Sequence, residues 1–126
     1  MTLGHLTAGA ANRILDGGAL PTIYYAQQHT AEPGLAFDEN VGPDTRRIAV
    51  TFLTAVAGVT ANISSSSVVG APADNDLEFL TLWDDSTAGE CLWVVPLTGA
   101  PVAVVAGNTV GIDIGDLTLA LDIWTQ

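Results

Sequence analysis

From Leu77 onward the chain is a succession of short β-prone runs, LEFLTLWD, ECLWVVPL, PVAVVAG, NTVGIDI and DLTLALDIW, each bounded by Gly, Asp or Pro. Runs this short, separated by turn formers, leave no space for the helices of an alternating α/β fold and require strands to pair with strands. The last run shows the half-buried pattern most plainly. Leu117, Leu119, Leu121 and Ile123 share one side, and Thr118, Ala120 and Asp122 share the other.

The upstream half adds further strands. LPTIYYAQQ predicts one, and HTAEPGLAFDENVGPD predicts a long loop broken by Pro33-Gly34 and Gly42-Pro43. RRIAVTFL alternates Ile48, Val50 and Phe52 with Arg47, Ala49 and Thr51, a strand with one dry and one wetter face. TANISSSSVVG suits an exposed edge strand or a loop. The first segment, TLGHLTAGAANRILDGG, differs: Leu3, Leu6, Ala10 and Ile14 recur at helical spacing. It predicts a helix capped by Thr2 and ended by Gly17-Gly18, with Gly4 and Gly9 each costing about 1 kcal/mol relative to alanine. Without a repeat or linker, the 126 residues are expected to form one domain, with the helix and its cap in 1–18 and a β-domain in 19–126. The expected fold is all-β, an antiparallel β-sandwich or jelly-roll-like barrel carrying one short N-terminal helix.

Charge narrows the partners. Fourteen Asp and Glu face only Arg13, Arg46 and Arg47, with no lysine, for a formal charge of −11. Nucleic-acid phosphates and anionic headgroups are held by basic clusters, so neither a nucleic acid nor a membrane is expected as partner. The chain is 48% hydrophobic and only 13% charged, the balance of a folded domain rather than a disordered one. The start lacks a basic leader followed by an apolar run, and the apolar patch from Ala100 to Ala106 is too short to span a bilayer; a soluble, unprocessed protein is expected.

Reactive groups are sparse and badly placed for chemistry. Cys91 is the sole cysteine, which rules out an intrachain disulfide, and its apolar strand favours an inert thiol. His5 and His29 belong to no catalytic signature, and Asp84, Asp85 and Glu90 flank a hairpin turn where water keeps carboxylates ionised. Asp74, Asp76 and Glu78 offer hard oxygen ligands for a cation, yet the EF-hand glycine and distal glutamate are missing. A turn entering a strand explains them better. GNTVGIDIGD lacks the spacing and lysine of a phosphate-binding loop. No catalytic residue, cofactor or metal is therefore expected. Trp83 and Trp93 flank the turn DDSTAG and suit a core or a subunit contact. The expected contact residues are Leu3, Leu6, Ile14, Trp83, Trp93 and Trp124.

Several of these stretches form a pattern together: the helix ending NRILD, the loop HTAEPG, the strand RRIAVTF, the hairpin FLTLWDDSTAGECLWVVPLTG and the closing AGNTVGIDIGDLTLALD. The pattern resembles a family of small bacteriophage virion proteins labelled tail-fibre, minor tail or head-decoration proteins. The resemblance covers nearly the whole chain and is most specific at HTAEPG, PLTG and AGNTV. It implies an all-β virion component, assembled in the host cytoplasm, with no active-site residue to carry over. The expectation that follows is a non-enzymatic capsid decoration or stabilising protein, a homo-oligomer bound to major capsid or tail proteins. The alternative is a minor tail or tail-tip protein that binds a receptor or carbohydrate through Trp83, Trp93, Tyr24 or Tyr25. A hydrolase using Asp84, Asp85 or His29 is the third reading.

Overall fold

The computed structural model describes residues 2–52, 59–62, 66–112 and 117–123. In chain order the elements are β1 (Thr2–Leu6), α1 (Ala8–Leu15), β2 (Ile23–His29), β3 (Ile48–Thr51), β4 (Val59–Ala61) and β5 (Ser66–Val68). They continue with β6 (Asn75–Leu77), β7 (Phe79–Trp83), β8 (Cys91–Pro96), β9 (Val102–Val104), β10 (Val110–Ile112) and β11 (Leu117–Ile123). Seven strands form one sheet in the order β3-β2-β7-β8-β1-β11-β4, accompanied by two ribbons, β10-β5 and β6-β9. The sheets curl into a half-barrel, so the fold is all-β with a single short helix. Pairing is antiparallel except between β1 and β11, which run parallel.

That parallel pair corrects the reading of the first segment. Residues 2–6 are not the start of a helix but a strand inserted between β8 and β11. Gly4 and Leu6 are buried while Leu3 is exposed, so the two leucines that a helical period would put on one face fall on opposite faces of the strand. Gly4 has a steric reason to be glycine: a Cβ there would lie 2.5 Å from Leu119 Cδ2 and 3.1 Å from Val95 Cγ2. Long-range pairing overrides local periodicity here. The helix starts five residues late, at Ala8, where Thr7 Oγ1 accepts from the Ala10 amide at 3.1 Å and donates to the Cys91 carbonyl at 2.9 Å. It ends as the glycines require, with Gly17 at φ +85° and the Gly18 amide bonded to Arg13 O at 2.8 Å.

The strands predicted around them form. Along β3 and its extension Ile48, Val50 and Phe52 are buried while Ala49 is exposed, the expected dry and wet faces. Residues 91–95 of β8 are buried on both faces, which accounts for the unbroken apolar run CLWVV. The run LEFLTLWD is split at Glu78. Its first part, β6, pairs with β9 as a bent extension of the β7–β8 hairpin, joined by the Leu97 amide on Glu78 O at 2.9 Å. TANISSSSVVG supplies β4 and β5, with residues 63–65 outside the described ones.

The main core gathers Leu6, Tyr24, Val50, Phe52, Leu82, Leu92, Trp93 and Leu119 inside the half-barrel. Tyr24 meets Phe52 and Trp93 edge-on, with centroids 5.6 and 6.4 Å apart. A smaller cluster of Ala71, Leu77 and Val104 packs under the ribbons.

Candidate functional site

The hairpin between β7 and β8 is built as a clamp. Its turn carries Ala88 and Gly89 at φ +55° and +78°, and Asp84 Oδ1 accepts from the Glu90 amide at 2.8 Å. From β3's side, Arg47 lays its guanidinium 4.2 Å from the centre of the Trp83 ring and donates to the carbonyls of Asp85 and Ala88 at 2.9 and 2.6 Å. From the helix, Arg13 approaches Asp84 at 3.4 Å and Glu90 at 3.6 Å. Arg46 forms a fork on the buried Asp44 at 2.8 and 2.7 Å and reaches Gly70 O at 3.2 Å. Those hydrogen bonds hold the Asp44 carboxyl below its ordinary range. All three cations are thus engaged by groups of the fold itself, although Arg46 and Arg13 keep part of their side chains in solvent.

Three candidates for chemistry are built into structure. His29 is fully buried, with Nδ1 2.8 Å from Glu39 O and Nε2 2.8 Å from Thr81 Oγ1. A carbonyl only accepts, so Nδ1 carries the hydrogen, Nε2 accepts from the Thr81 hydroxyl, and that oxygen accepts from Trp83 Nε1 at 2.8 Å. Burial lowers the His29 pKa and keeps the ring neutral. The relay pins the HTAEPG loop to the sheet. His29 pairs with Phe79 at the start of β7 while Asp84 follows its end, so about 16 Å of strand separates them and no base meets those carboxylates. Burial pushes the Cys91 thiol up to about 12, far from a thiolate nucleophile at neutral pH. Asp74 Oδ1 accepts from the Ala106 amide at 2.7 Å, a turn role, and no three His, Cys, Asp or Glu side chains converge among the described residues.

The expected contact residues scatter. Trp93 is 4% exposed and Leu6 is likewise buried, both consumed by the chain's own core. Leu3 and Ile14 remain on the surface at 41% and 36% exposure, and Trp83 is half-buried beneath Arg47. Trp124 lies outside the described residues.

A cavity that no motif announced opens inside the half-barrel. It holds about 350 Å³ and is walled by Leu77, Leu80, Leu97, Val110 and Ile112, with Gln28 on its floor. Gln28 shares the inward face of β2 with Tyr24 and Ala26, a polar residue at the third position of a dry stripe. Ile23, Tyr25 and Gln27 repeat that pattern on the other face, so the sequence alone does not single Gln28 out.

No helix among the described residues is long and apolar enough to cross a membrane. No curated protein is similar enough to this chain to count as a relative. A family model described as podophage GP4 fiber I protein gp80 matches residues 5–120, which takes in the end of β1, the helix, the hairpin and the greater part of β11. The chain therefore belongs to the podophage GP4 fiber I protein gp80 family, a family of phage virion structural proteins.

Proposed function

We propose that this chain is a non-enzymatic subunit of a phage tail fibre, held to other virion proteins by apolar contacts. The observation that carries the reading is the match of residues 5–120 to a fibre protein family. The geometry supports it. The buried histidine and the three arginines are engaged in holding loops and strands together, and the thiol is buried and protonated. Tail placement is preferred to capsid decoration because the family is described by its fibre. Leu3 and Ile14 are the proposed contacts between subunits of a homo-oligomer, and burying them must outweigh the repulsion of chains at −11.

Of the four aromatics that suggested sugar stacking, Tyr24 and Trp93 are buried and one face of Trp83 is covered by Arg47, which leaves Tyr25 partly exposed. Immunogold labelling of purified particles tests the placement: gold on the tail supports it, and gold distributed over the capsid lattice would establish a decoration protein instead.

A further inference from the structure

The cavity in the half-barrel carries an inference of its own. Gln28 is 1% exposed and lines the cavity, yet neither its Nε2 nor its Oε1 has a hydrogen-bond partner. A buried primary amide left unpaired at both ends is costly, and it presents one donor and one acceptor side by side to whatever fills the space. The rest of the wall is mostly aliphatic, with Leu77, Leu80, Leu97, Val110 and Ile112 joined by the hydroxyl-bearing Thr98, and among the described residues it holds no charged side chain and no aromatic ring. An ion finds no counter-charge there, and a sugar finds no ring to stack on.

The complement of such a floor is an extended peptide. In an extended strand the N–H and C=O of one residue point to the same side, which is why opposed residues in antiparallel sheets exchange two hydrogen bonds. A glutamine amide meets that pair as another strand would. The walls point the same way, because β9 and β10 each pair on one side only among the described residues, and both contribute to the cavity. About 350 Å³ lies at the small end of ligand clefts, enough for a bulky aliphatic side chain and not for a folded element.

We propose that this cavity receives an aliphatic side chain of an extended, uncharged segment of a partner polypeptide, with Gln28 pairing to that residue's N–H and C=O. The inference rests on the virion reading only for the identity of the partner. The test needs no particle. The full chain, labelled with ¹⁵N and ¹³C-methyl groups, is titrated with N-acetyl-leucine methylamide and with its N-methylated form, which keeps the leucine side chain, loses the N–H donors and gains a methyl on each nitrogen, a bulk effect that the Gln28 variants share and so control.

The expected result is shifts at the Gln28 side-chain amide and at the methyls of Leu80, Val110 and Ile112, with the N-methylated probe about tenfold weaker. Gln28→Leu and the nearly isosteric Gln28→Met should fold, keep the methyl shifts and reduce that difference between probes to the bulk effect. Absence of shifts in the cavity, equal binding of the two probes by the native chain, or an undiminished preference in both variants overturns the proposal. So does displacement of the probe by methyl glucoside, which would make the cavity a sugar site. Binding of the probe with gold found off the particle would sink the assembly reading and spare the cavity; gold on tails with no binding would do the reverse.

Discussion

Replacing Gly4 with alanine separates two ways of building the start of the chain by the sign of a single number. In a helix, alanine is favoured over glycine by about 1 kcal/mol, and Gly4→Ala would stabilise the protein. In β1 the new Cβ would sit 2.5 Å from Leu119 Cδ2, 3.1 Å from Val95 Cγ2 and 3.6 Å from the Thr118 carbonyl. The nearest of these is the tip of a side chain, which can retreat when it has space. Leu119 has none, since it is buried in the main core, and the branched Val95 is stiff at χ1. Overpacking of this kind costs about 1–3 kcal/mol. Urea unfolding should show the midpoint falling with little change in slope. Leu119→Ala, itself destabilising by about 2–5 kcal/mol, vacates the space, so the double variant should be less destabilised than the sum by at least about 1 kcal/mol. A stabilised Gly4→Ala, or strict additivity with Leu119→Ala, would refute the strand and its register.

Other perturbations read other parts of the fold. Arg47→Ala removes the guanidinium from the Trp83 ring and two charge-assisted hydrogen bonds from the hairpin, for an expected loss of about 1.5–3 kcal/mol by chemical denaturation, mostly recovered by neither lysine nor methionine. His29 is held neutral with a pKa below its unfolded value of 6.5, so the unfolded chain binds the proton first. Stability should rise with pH through the window beneath about 6.5 and fall as acid is added, by at most about 1.4 kcal/mol per pH unit, and His29→Gln should flatten that slope. Cys91, with its thiol pushed up to about 12, should resist a thiol reagent at pH 8 in the native chain and react at once in urea.

Most strands were legible because half-burial writes a period of two into the sequence. Ile48, Val50 and Phe52 show it in β3, whereas in β11 Thr118 is buried along with Leu117 and Leu119. The hairpin turn was legible from Asp84 to Gly89 for a different reason, the need for backbone at positive φ. What the sequence concealed depends on distant partners. Leu3 and Leu6, three apart, suit a helical face, and only the presence of β8 and β11 on either side makes their segment a strand that sends them to opposite faces. The break at Glu78 follows from the bend of the hairpin, not from any local breaker. Arg47 read as one residue of a wet face, and nothing nearby announced Trp83 as its partner. Gln28 read no differently from Gln27, since both faces of β2 run two apolar residues into a glutamine, and its meaning required the cavity. Of the residues expected at contacts, two turned out to be core because tryptophan and leucine serve a core and an interface equally well.

The most direct measurement is a cryo-electron-microscopy reconstruction of the intact particle that resolves this chain. A tail-fibre subunit predicts the half-barrel in fibre density, with an extended segment of a neighbouring chain seated over Gln28 and Leu3 and Ile14 against another copy. The half-barrel found on the capsid lattice, or on the fibre with its cavity facing open solvent, would contradict the account.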